Sequence, residues 1–93
     1  MDIAAYKEKL QSAGFKHIFD WRDAPRTIYP EHAHRDKVAL CIVRGSLNMN
    51  IAGEQKTFKA GDYCDIPPGI KHTAKVGDEG CTFVVGEMID GDS

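Results

Sequence analysis

What this chain lacks narrows its function before any motif is read. No apolar run approaches the length of a membrane span. There is no Lys/Arg cluster to track phosphates, and twelve basic against fourteen acidic residues leave a net charge of −2. Nucleic acid is therefore not an expected partner, and neither is a membrane. The opening residues lack the basic-then-apolar layout of a secretory signal. Cysteine is scarce: Cys41, Cys64 and Cys81 are odd in number and form no C-x-x-C pair. That argues against a disulfide framework and reads as reduced thiols in a cytoplasmic protein. Internal repeats, linkers and low-complexity stretches are missing too. Ninety-three residues suffice for one domain around one core.

What is present is mostly β-patterned. The exception is the start, residues 1–14. Asp2 is a plausible N-cap, Ile3, Tyr6 and Leu10 share one helical stripe, and Gly14 is placed to end the helix in a left-handed conformation. This reads as an amphipathic lid on a sheet or on a partner chain. From residue 15 to 93 the chain reads as one domain of short strands. The expected strands are 17–21, 27–34, 38–43, 46–51, 55–59, 63–66, 72–76 and 81–87. Residues 46–51 alternate, with Leu47, Met49 and Ile51 inward and Ser46, Asn48 and Asn50 outward. Gly and Pro punctuate the strands at regular intervals, as in a sandwich or barrel.

Three histidines carry the chemistry. His32 and His34 form an H-x-H pair in YPEHAH. On a strand, residues i and i+2 face the same way, so both rings can aim at one point. His72 closes GDYCDIPPGIKH, behind a turn stiffened by Pro67 and Pro68. Two ligands from one strand and one from another can build a metal site with open positions. Three nitrogen donors suit a divalent transition metal: Fe, Zn, Ni, Mn or Cu. Glu31, Asp36 and Glu87 are the carboxylates to test as further ligands. Tyr29 and Tyr63 are candidate acids or orienting groups, Cys64 a candidate pocket thiol, and Arg26 the nearest cation to anchor a substrate.

These residues resemble the two motifs of the cupin superfamily. The first motif runs from Gly through H-x-H to Glu and a closing Gly, and this chain supplies His32, His34 and Gly45. The second fixes Gly, Pro, Gly and His at set spacings, and Gly61, Pro67, Gly69 and His72 match it in register. The leading Gly of the first motif is Arg26 here, its Glu is Val38, and the closing Asn of the second is Val76. The resemblance implies an all-β cupin jelly-roll barrel with a short N-terminal helix. It also implies a metal held by His32, His34 and His72 without the usual Glu. Glu-less cupins of this kind include thiol dioxygenases. The expected function is therefore a dioxygenase-like or isomerase metalloenzyme acting on a small organic molecule in an apolar pocket. The alternative is a non-catalytic metal- or ligand-binding sensor module. Cupins commonly pair through their sheets, so a homodimer is expected.

Overall fold

The computed structural model describes residues 2–88; the last five residues of the expected domain lie outside the described residues. Helix α1 spans Ile3–Ser12. Asp2 caps it as expected, its side chain accepting from the Ala5 amide at 2.8 Å, and Gly14 ends it with φ of +97°. The strands are β1 (His17–Asp23), β2 (Ile28–His32), β3 (Val38–Ile51), β4 (Glu54–Lys59), β5 (Tyr63–Ile66) and β6 (His72–Glu87). All pairings are antiparallel: β1 and β2 both pair with β6, β6 pairs with β3, and β3 pairs with both β4 and β5. This is the expected all-β barrel.

Two expected breaks are bends instead. Residues 38–43 and 46–51 form one strand, β3, and residues 72–76 and 81–87 form another, β6. Their pairing shifts register between Ile42 and Arg44 and again between Gly45 and Leu47. Such bulges turn a strand without ending it. Gly45 makes this possible: its φ is +81°, and a Cβ there would lie 2.0 Å from the carbonyl oxygen of Gly80 on the facing strand. Each long strand thus serves both halves of the barrel.

Alternation along these strands sorts the interior into two clusters. Val38, Leu40, Leu47, Met49, Ile66, Phe83 and Val85 face the barrel cavity side. Ala39, Cys41 and Val84 face the other way and pack with Tyr6, Leu10 and Phe15. The helical stripe is therefore covered by the chain's own sheet. Gly86 permits that contact, since a Cβ there would meet the Phe15 ring at 3.0 Å and Leu10 at 3.1 Å. The two opposed faces explain why β3 and β6 are apolar at successive positions: they are buried on both sides.

Candidate metal centre in an apolar cavity

The three histidines converge. His32 is the cross-strand partner of His72, and their ring centroids are 4.2 Å apart. His34 lies 4.9 Å from His32 and 5.1 Å from His72, ring to ring. One ligand nitrogen from each falls within 4.8 Å of the others. The cluster is thus able to hold a divalent metal ion.

The route to this geometry differs from simple alternation. β2 ends at His32, so His34 sits in the following loop and not on the strand. β2 also shifts register between Tyr29 and His32. Those residues are an odd number apart, yet both line the cavity. The bulge at Pro30 and Glu31 absorbs the extra residue, and Pro30 cannot donate to the ladder there. His34 is fixed from the other motif: its carbonyl accepts from the Gly69 amide at 2.9 Å. The Pro-Pro-Gly turn therefore positions His72 and His34 together.

Backbone carbonyls set the rings. His32 Nδ1 lies 2.7 Å from the Pro30 carbonyl oxygen, and His72 Nδ1 lies 2.9 Å from that of Ile70. A carbonyl can only accept, so each Nδ1 carries a proton, and in the neutral ring Nε2 keeps its lone pair free. That is the tautomer a metal ligand needs, oriented as outer partners orient metal-bound imidazoles. His72 is 3% exposed, the one buried polar residue among those described. Burial lowers the pKa of His34, and the neighbouring His32 and His72 lower it further, while Glu87 opposes the shift. A neutral ring is the metal-binding form.

The cluster opens onto a cavity of about 400 Å³. Leu47 and Met49 line it, as their inward alternation implies, together with Val38, Leu40 and Ile66, so the pocket is apolar as expected. Ile51, expected inward, and Cys64, the candidate pocket thiol, do not: both pack in the surrounding core cluster. Burial pushes the Cys64 thiol up to about 11, with Asp65 adding to the shift, so it is an inert packing group. Phe19, Trp21 and Tyr29 complete an aromatic wall from β1 and β2.

Several candidates separate from the site. Tyr29 reaches the cavity with its ring, but its hydroxyl donates to Asp23, which also accepts from Trp21 Nε1 at 2.9 Å. Burial, reinforced by Asp23, pushes the Tyr29 phenol up to about 12, which makes it a poor acid. Tyr63 pairs with Cys41, on the helix face, and Lys9 sits over its ring. Arg26 occupies the turn before β2 with φ of +61° and approaches Asp78 at the exposed surface; it does not line the cavity and anchors nothing there. Glu31 points into a separate surface depression, and Asp36 is not among the lining residues. Glu87 does line the cavity, and among the described residues it is the only carboxylate that does.

Comparisons with known proteins agree with this architecture. A family model described as a cupin domain matches residues 19–86. No curated protein matches the chain. Among solved structures, an RmlC-like cupin from Shewanella frigidimarina superposes with a TM-score of 0.71 at 23% identity, covering 85% of this chain and 71% of that one. KdgF from a Halomonas species gives a TM-score of 0.71 at 16% identity, covering 81% and 70%. A variant of Bacillus subtilis oxalate decarboxylase gives 0.74 at 22% identity, covering 92% of this chain but only 24% of that one. At these identities the likeness concerns the fold. The family match spans most of the barrel, including all three histidines, and this chain belongs to the cupin family.

Proposed function

We propose that this protein binds one divalent transition metal through His32, His34 and His72 and acts on a small, largely apolar organic molecule by O₂-dependent, dioxygenase-like chemistry. The observation that carries this reading is three imidazoles, two of them fixed by carbonyls with Nε2 free, at one point of an apolar cavity. The donor set fits a borderline metal such as iron, zinc or nickel. Mn(II) centres described for Bacillus subtilis oxalate decarboxylase, which shares the fold, add support for a divalent ion. A bound metal supplies Lewis acidity and, if it is iron, redox capacity. The protein contributes the rest. The imidazoles are neutral donors and cancel none of the ion's charge. The wall of Val38, Leu40, Met49, Phe83 and Val85 excludes competing water and favours an apolar substrate body. Trp21, half exposed at the edge of this wall, offers a flat surface to an incoming ring.

The test has two stages. Elemental analysis of protein purified without a metal-chelating tag should find about one divalent ion per chain. Oxygen uptake by anaerobically iron-loaded protein is then measured across small thiols, diketones and aromatic compounds. Uptake above a His34→Ala control supports the reading. Tight metal binding with no uptake on any compound assigns the pocket to ligand binding instead. Absence of any bound metal overturns the site itself.

A further inference from the structure

The family's glutamate is missing from its usual place, Val38, yet a carboxylate sits beside that place. Val38 and Glu87 are direct cross-strand partners of β3 and β6. Residues so paired project from the same face of the sheet, with Cβ atoms about 4.5–5.5 Å apart. Val38 is cavity-lining and 4% exposed. Glu87 lines the same cavity, as do Val85 and Phe83, two and four residues before it on β6. Its other cross-strand partner is His17 of β1, whose Nδ1 lies 2.5 Å from Glu87 Oε1. The His17 side chain is 58% exposed, against 25% for Glu87. Glu87 thus stands between an exposed imidazole at the barrel edge and the vacated glutamate position inside.

We propose that Glu87 is the fourth ligand of this metal centre, supplied from β6 in place of the residue at Val38, and that His17 holds its carboxylate in reserve until the ion binds. This inference rests on the metal reading of the preceding subsection. The two sites compete for one carboxylate: binding the ion requires Glu87 to turn from His17 toward the cavity. His17 therefore weakens metal affinity even though it belongs to the same network. A residue that merely buttressed the fold would have the opposite effect.

The experiment is Mn(II) and Zn(II) affinity by competition with a chelating dye, with thermal melts to confirm folding. It covers wild type, Glu87→Gln, His17→Ala and the double variant Glu87→Gln/Val38→Glu. Glu87→Gln should weaken binding about tenfold to a hundredfold, the scale seen when carboxylates supporting metal sites are removed. His17→Ala should tighten it severalfold. The double variant should recover most of the loss, because it returns a carboxylate to the adjacent paired position. In wild type, Zn(II) should also shift the His17 imidazole resonances in NMR spectra as the ring loses its partner. Wild-type affinity in Glu87→Gln overturns the proposal while leaving the three-histidine site standing. So does weakening by His17→Ala equal to that of Glu87→Gln. Wild type that binds neither ion overturns both readings.

Discussion

Replacing Val38 by Glu places a second carboxylate against Glu87 and so measures how close the two positions are. In the metal-free protein the two charges would sit about 5 Å apart, the separation of paired side chains. At an effective dielectric constant near 20, unit charges at that distance repel by about 3 kcal/mol. This corresponds to a rise of roughly two pH units in the carboxyl pKa. Loss of a buried Val side chain, 4% exposed, adds to the cost. The sign with pH follows. A carboxyl whose folded pKa lies above its unfolded value, near 4.3, leaves the folded state with more bound protons. Stability relative to wild type then falls as pH rises from about 4 and is lowest above about 6.5. A divalent ion reverses the repulsion. If it binds the folded state alone, at a thousandfold excess over its Kd it contributes about 4 kcal/mol. Urea denaturation at several pH values, with and without Mn(II), reads both effects. Val38→Glu should be about 3 kcal/mol or more less stable than wild type at pH 8 without metal, recover toward pH 4, and gain more from Mn(II) than wild type gains. Unchanged stability at pH 8, or a gain from Mn(II) no larger than that of wild type, would refute the reasoning.

Three further outcomes are expected. Absorbance titration should show the Tyr29 phenol ionising last, near its raised value of about 12. Asp23→Asn should lower that value without bringing it to the ordinary 10, because burial is the larger cause; the stability linked to this phenol is intact below pH 10 and declines as pH rises through about 12. Leu10→Ala, at a fully buried position between the helix and Gly86, should cost about 2–5 kcal/mol in chemical denaturation while leaving metal affinity unchanged. Sedimentation at micromolar concentration should find a homodimer, with Ile28→Lys weakening it, since Ile28 is 68% exposed on the barrel surface; a monomer in both proteins would remove that expectation.

The legible parts of this molecule are those written in local spacing. Gly61, Pro67, Gly69 and His72 identify their turn wherever it folds, and Asp2 and Gly14 mark the two ends of α1. The three histidines could be grouped because two lie close in sequence and the third ends a recognisable motif. The illegible parts are set by pairing between distant segments. Glu87 reaches the cavity only because β6 lies against β3, and nothing around it in sequence distinguishes it from a solvated charge. Trp21 and Phe19 reach it through β1 pairing with β6. The breaks expected near Gly45 and Gly80 proved to be bends, because glycine signals a special backbone angle without saying whether the strand resumes. Arg26 seemed close to the site in sequence, but the turn before β2 carries it to the outer surface.

The continuity of β3 and β6 also governs how the barrel opens. Each is hydrogen-bonded on both flanks over much of its length, whereas β1, β2, β4 and β5 each pair on one side within the described residues. Amide hydrogen exchange should divide along that line. Protons of β3 and β6 should exchange only through global unfolding, and those of the outer strands through cheaper local openings. Val38 and Met49, and His72 with its Nδ1 bond, stand on the strands expected to exchange slowly, while Phe19, Trp21, Tyr29 and His32 stand on the outer ones. The metal site then straddles that division: His72 stands on the slow core and His32 on an outer strand, so an ion bound between them should tie β2 to β6 and slow the exchange of β2 amides.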